Sequence, residues 1–207
     1  VTELKILVVS PHPDDFCLCV GGTVALHARK GDEVRILVLS NGEHGGDPEV
    51  RKREALESAR VLGCREVNFL GLPDGRVNDS IDSVSKIEAH VLEFGPDRVY
   101  CNSNRDRHQD HRNGSLATLS AARKVSEVFM YEGMTAWTSF QPSTFVDITD
   151  VIDLKMRAIA VHRSQENRYY MRPSSVKGLN QFRGWQANVS YAEAFEIARQ
   201  LIRIRPT

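Results

Sequence analysis

The chain has 207 residues, 27 basic and 27 acidic, and 41% of it is hydrophobic, which describes one ordinary globular domain long enough to bury a core. A net charge of zero argues against a dedicated nucleic-acid binder, and no apolar run nears the roughly 18 residues of a membrane span. The run Leu4 to Val9 is of strand length and carries no cleavage motif, so a cytoplasmic protein is expected; Cys17, Cys19, Cys64 and Cys101 form no C-x-x-C pair and fit that compartment as idle thiols.

In chain order, Lys5–Ser10 (KILVVS) is a continuous apolar run closed by Pro11 and Pro13, and Val34–Ser40 (VRILVLS) repeats the pattern. Continuous rather than alternating runs predict strands buried on both faces, as in a parallel sheet covered by helices. The crossover between them is a helix from about Cys17 to Lys30, stopped at Gly31. Arg51 to Leu62 is a second helix ended by Gly63, Val67–Leu70 a third strand, Ile81–Phe94 a helix ended by Gly95-Pro96, Arg98–Cys101 a fourth strand, and Asn113–Lys124 a helix. This alternation predicts a three-layer, Rossmann-like α/β domain with right-handed crossovers over residues 1–125.

Beyond Val125 the pattern changes. Glu127–Tyr131 and Thr144–Ile148 read as strands, Val151–His162 as a helix and Tyr191–Arg203 as a closing amphipathic helix, while residues 163–189 show no clean period. A stretch that long without an element belongs, when ordered, to a functional site, so residues 126–207 are expected to complete the substrate site of a single 1–207 domain. Charge divides the same way: residues 1–154 carry 17 basic and 24 acidic side chains, whereas 155–183 carry seven basic ones (Lys155, Arg157, Arg163, Arg168, Arg172, Lys177, Arg183) against Glu166 alone. Such a block meets an anionic ligand, a partner surface or the acidic part of its own domain.

In open α/β sheets ligands bind outside the carboxyl ends of the strands. Here those ends carry His12-Pro13-Asp14-Asp15, Asn41-Gly42-Glu43-His44, Pro73-Asp74-Gly75 and the run from Asn102 to His111. His12 and Asp15 with His111 make a two-nitrogen, one-carboxylate set, the donor type of a catalytic zinc site and equally of an Fe(II) site. Asp14 and Asp15 are neighbours and point different ways, leaving one carboxylate free beside the metal, as a hydrolytic base requires. The alternative is a proline-fixed turn in which an Asp caps the following helix, with Asp106 or Asp110 capping the later one. His27, His90 and His162 fall in predicted helices and read as surface or satisfied histidines; His44 stays open. Strand one runs into S-P-H-P-D-D instead of G-x-G-x-x-G, and its carboxylates would repel a pyrophosphate, which argues against a dinucleotide.

These motifs resemble the PIG-L or LmbE-like N-acetylglucosaminyl deacetylases. The resemblance is carried by His12-Pro13-Asp14-Asp15, Gly21-Gly22-Thr23, Ser40-Asn41-Gly42-Glu43, Arg51-x-x-Glu54, Phe69-Leu70-Gly71 with Asp74, and Asp106-Arg107-His108-Gln109-Asp110-His111. Phe145-Val146-Asp147-Ile148, Lys155-x-x-Ala158 with His162-x-Ser164-Gln165, and Tyr191-Ala192-Glu193-Ala194-Phe195 extend it over the whole chain.

What the resemblance implies is a zinc-dependent hydrolase that removes acetyl from a GlcNAc-type sugar conjugate. His12, Asp15 and His111 would hold the metal and Asp14 would be the general base. Protonated His108 would steady the oxyanion, and Asp110 would orient His108 or the metal shell. Arg51 and Asp74, with Asn41 and Glu43 of the glycine turn, would contact the sugar. Phe16-Cys17-Leu18-Cys19-Val20 departs from the family's usual helix start; Phe16 would make the pocket edge apolar, and Cys17 lies near enough in sequence to approach the metal. The expected partner is a small amino-sugar conjugate, anionic if Arg163, Arg168, Arg172 or Arg183 reaches the site, with a homo-oligomer left open. Other readings are an amidase on mycothiol- or bacillithiol-type conjugates, a non-catalytic metal- or sugar-binding module, and a structural partner using the basic block.

Overall fold

The computed structural model describes residues 3–202. Strands β1 (Lys5–Ser10), β2 (Glu33–Ser40), β3 (Glu66–Leu72), β4 (Arg98–Asn102), β5 (Glu127–Tyr131), β6 (Thr144–Asp147) and β7 (Ala192–Gln200) form one sheet in the order β3-β2-β1-β4-β5-β7-β6. The first five run parallel, and β7 is antiparallel to both β5 and β6. The helices are α1 (Asp15–Lys30), α2 (Pro48–Val61), α3 (Ile81–Phe94), α4 (Gln109–Ala121), α5 (Ile152–Ala160) and α6 (Pro173–Ala187).

The continuous apolar runs are explained by the two cores. Along β1, Ile6 and Val8 face a core built with Phe16 and Val24 of α1, Ala55 and Ala59 of α2 and Ile159 of α5. Leu7 and Val9 point the other way, to Ile87 and Val91 of α3 and Ala117 of α4. Alternate side chains therefore both leave water, at about 1.5–3 kcal/mol for each large aliphatic. All four cysteines are buried free thiols. No helix among the described residues is long and apolar enough to cross a membrane.

Two expectations are overturned. The stretch around Tyr191–Arg203, predicted as an amphipathic helix, is strand β7 over Ala192–Gln200, while Arg203 itself lies outside the described residues. Its Ala-Glu composition favours a helix, but Ala192 to Glu196 are all buried between β5 and β6, and the ladder overrides local propensity. Residues 163–189, predicted to lack an element, contain short 3₁₀ turns and the 15-residue α6. The face that α6 buries is Val176, Asn180 and Gly184, so its spacing is helical but only one of the three is a large apolar residue, whereas Phe182 and Trp185 are exposed.

The chain leaves β1 toward β2 on one side and later places β4 on the other. That reversal opens a crevice at the carboxyl ends of β1 and β4, the position where doubly wound sheets bind ligands.

Candidate active site

Prolines fix the turn after β1, and Ser10 locks it: its hydroxyl donates to the His12 carbonyl (2.7 Å) and accepts the Phe16 N–H (3.1 Å). Asp15 is then the first residue of α1, and His111 lies in the first turn of α4, across the crevice. His12 Nδ1 and Asp15 Oδ2 stand 3.1 Å apart, His111 Nε2 and Asp15 Oδ2 3.3 Å, and the two ring nitrogens 3.3 Å. Donors about 2.1 Å from a shared cation would be about 3.4 Å apart in a tetrahedron and about 3.0 Å on an octahedral face, limits that bracket the observed spacing. The donor triangle fits either, so the spacing suits zinc and Fe(II) alike.

The far nitrogens support the same reading. His111 Nδ1 lies 3.1 Å from Asp106 Oδ2, and His12 Nε2 lies 3.2 Å from both Asp110 Oδ2 and Asp74 Oδ1. Each imidazole thus has a carboxylate behind it to hold the outward N–H and aim the other lone pair inward, the usual support of a metal-ligating histidine. Burial pulls both imidazoles down, but the carboxylates outweigh it: Asp110, Asp15 and Asp74 hold His12 well above its ordinary range, and Asp15 and Asp106 raise His111 to about 9. A site that draws protons this strongly is negative, and a divalent cation satisfies the same field. A second set, His12, His108 and Asp110, has donors of metal-ligand type as well. There, however, the Asp110 oxygens already accept N–H groups of Gly75 (2.7 Å) and Val77 (3.2 Å), which suits a supporting role.

Asp14 occupies the N-cap position of α1 without making a capping bond. Its Oδ1 instead accepts from Arg51 Nη2 at 2.9 Å, and its Oδ2 is buried with no partner. Arg51 also donates from Nη1 to the Gly42 carbonyl (2.7 Å), tying the turn after β2 to Asp14. Gly42 adopts φ +70°, and a Cβ there would run into that guanidinium, so the turn requires glycine. The helix cap of α4 is His108, whose Nδ1 accepts the Asp110 N–H at 3.2 Å, so the neutral ring carries its proton on Nε2. Burial and the charges of His111 and His12 pull the His108 imidazole down, which favours that neutral form over the expected cation.

These groups share a cavity of about 370 Å³, within the range of small-molecule sites. A family model described as PIG-L, GlcNAc-PI de-N-acetylase, matches residues 7–122, spanning His12 through His111. The chain belongs to the PIG-L family. It is 30% identical to an uncharacterized deacetylase of Escherichia coli, over 77% of this chain and 90% of that protein. It superposes on a conserved protein of Thermus thermophilus with a TM-score of 0.89, at 31% identity and 98% coverage of each chain. It also superposes on the N,N'-diacetylchitobiose deacetylase of Pyrococcus horikoshii with a TM-score of 0.80, at 26% identity over 93% of this chain and 83% of that one.

In this PIG-L protein His12, Asp14, Asp15, Arg51, Asp74, His108 and His111 all line the cavity, and His44 joins them. Asp110 is fully buried behind the wall and bears on His12 through its carboxylate, with only its backbone N–H on His108. Asn41 and Glu43 are not in the lining; Glu43 Oε1 accepts the Asp74 N–H at 2.9 Å and so braces that loop. Phe16 is fully buried away from the cavity, and Leu18 supplies the apolar edge. Cys17 donates its thiol to the Asp14 carbonyl (3.1 Å), and burial pushes it up, which removes it as a metal ligand.

His162 differs from the satisfied histidine expected: it is buried, both ring nitrogens lack partners, and burial pulls its imidazole down. Missed from sequence are Gln165 and Tyr170 in the aperiodic stretch and the role of Asp106 behind His111, for which the spacing of five was the available signal, whereas Arg168 is one of the four arginines expected there. The basic block is dispersed. Lys155 pairs with Glu193, Lys177 with Asp153 and Arg183 with Glu132, and of the block only Arg168 reaches the cavity.

Proposed function

We propose that this PIG-L protein is a metal-dependent hydrolase that removes the N-acetyl group from a GlcNAc-type sugar conjugate. The observation that carries the reading is Asp14: a buried carboxylate with one oxygen on Arg51 and the other unpartnered, beside the His12, Asp15 and His111 donors. A binding module has no use for such a spare base. His12, Asp15 and His111 would hold zinc or another divalent cation such as Fe(II), which when bound acidifies water and polarises a carbonyl.

The chain's own groups account for the remaining work. Arg51 holds Asp14 Oδ1, which would leave the unpartnered Oδ2 to act on the attacking water. Asp14 takes a proton from that water as its oxygen bonds to the amide carbon. The carbonyl oxygen then carries negative charge and accepts the N–H of neutral His108 Nε2. When the C–N bond breaks, the proton on Asp14 passes to the departing nitrogen, leaving a free amine and acetic acid, which gives up its remaining proton to solvent as acetate. Asp74 and Asp110 keep His12 aimed throughout.

Arg168, exposed at the cavity, would meet a phosphate or carboxylate on the rest of the conjugate. The test is acetate release from a panel of neutral and anionic N-acetylglucosamine conjugates, with and without chelator. Chelator-sensitive release, fastest on anionic members, is expected; release that survives complete metal removal would overturn the reading.

A further inference from the structure

Helix α1 is interrupted. Val20 has φ −133° and ψ 16°, so Asp15–Cys19 forms a short segment and the helix restarts at Gly21-Gly22. A restart exposes a fresh set of backbone N–H groups that need acceptors. They find one far away in sequence: Glu193 of β7 accepts the N–H of Gly22 on Oε1 (2.7 Å), and on Oε2 the N–H of Thr23 (2.7 Å) and its hydroxyl (2.6 Å). Glu193 is thus a helix cap supplied from the opposite end of the chain.

The cap is fully sequestered. Lys155 Nζ donates to Glu193 Oε1 at 2.8 Å, and both side chains are 0% exposed. The same ammonium donates to Asn180 Oδ1 (3.0 Å), whose Nδ2 donates to the Ala192 carbonyl (2.9 Å). The approach depends on glycine, because a Cβ on Gly22 would lie 2.6 Å from Ile148 Cγ2. A buried ion pair of this kind is a poor source of stability, since a well-packed apolar pair often does as well or better, but an arrangement that parts the two charges leaves each buried and uncompensated. What the pair fixes here is the break in α1, and the segment upstream of that break carries Asp14 and Asp15.

We propose that the Glu193–Lys155 pair is the positioning device of the metal-binding turn: by capping the restarted helix it sets the attitude of Asp15 toward His12 and His111. Glu193 and Lys155 are positioning residues that touch neither substrate nor metal. The proposal rests on the reading that His12, Asp15 and His111 hold a divalent cation.

The experiment measures zinc affinity by chelator competition, with thermal unfolding in parallel. The variants are Glu193→Gln, the apolar double Lys155→Met/Glu193→Met, and Val91→Ala as a destabilised control from the other core. The Glu193 variants are expected to lose about tenfold in zinc affinity even where stability is retained. Val91→Ala should lose stability and keep its affinity. If Glu193→Gln fails to fold, Glu193→Asp, one methylene short of the helix start, takes its place with the same expectation. Parent-like zinc affinity in the folded variants would overturn this proposal alone. Failure of the parent to bind zinc would overturn the ligand reading and the proposal with it.

Discussion

The carboxylate behind His111 gives a quantitative handle on the site. Asp106 is 1% exposed and uses both oxygens: Oδ2 faces His111 Nδ1 at 3.1 Å, while Oδ1 accepts the His108 N–H (2.8 Å) and the Thr135 hydroxyl (2.5 Å). Asp106→Asn keeps the shape but makes one of those positions a donor. If the NH₂ faces His111 it opposes the ring N–H; if it faces the other way it opposes the His108 N–H. In the first orientation the bond to His111 is lost; in the second it survives, but on a neutral amide oxygen in place of the carboxylate, so the charged bond to His111 is lost either way. A hydrogen bond to a charged group is worth about 1.5–3 kcal/mol, which converts to roughly 10- to 100-fold in metal affinity. With metal well above its Kd, each tenfold loss removes about 1.4 kcal/mol of metal-linked stability, or roughly 3–6 °C in Tm for a domain of this size. Chelator competition reads the first quantity and thermal unfolding with and without zinc the second. Zinc affinity within about twofold of the parent would refute the claim that Asp106 supports a metal ligand.

Further outcomes follow from other contacts. Arg51→Met leaves Asp14 Oδ1 without its counter-charge and should cost about 3–5 kcal/mol in urea unfolding, toward the lower end because Asp14 borders the cavity. Arg168→Gln should raise KM for anionic conjugates about tenfold while leaving kcat and turnover of neutral conjugates near parent values; equal effects on both would remove Arg168 from recognition. Burial pushes the Cys64 and Cys101 thiols up to about 11 and about 12, so neither is a thiolate at pH 8. With Cys17 and Cys19 raised as well, iodoacetamide should label no cysteine until urea unfolds the chain, as read by intact mass.

The parallel half of the fold was legible because its central strands β1, β2 and β4 are buried on both faces, and a continuous run such as KILVVS satisfies that. The convergence of the candidate site residues was legible for a related reason: side chains that follow β1 and β4 must meet at the crevice whatever their neighbours do. Strand β7 was not, because Glu193 and Glu196 read as solvent-facing. Their partners, Lys155 and Ser103, come from distant parts of the chain. Helix α6 hid because Asn180 serves its buried face by hydrogen bonding. Asp106 was visible as a cap but not as a histidine's partner, since that depends on how α4 turns His111 back over the loop. The cysteine at position 17 looked close to the metal in sequence, yet a helical turn directs its thiol to a backbone carbonyl.

In the proposed reaction Asp14 is the base beside a metal held by His12, Asp15 and His111. Asp14→Asn tests it most directly, because the amide oxygen can still accept from Arg51 while the proton acceptor is gone. The measurement is acetate release from an N-acetylglucosamine conjugate by parent and variant, each with its bound metal quantified. Unchanged metal content with a fall in rate of about 100-fold or more is expected. Full activity at parent metal content would contradict the role of Asp14 as the base.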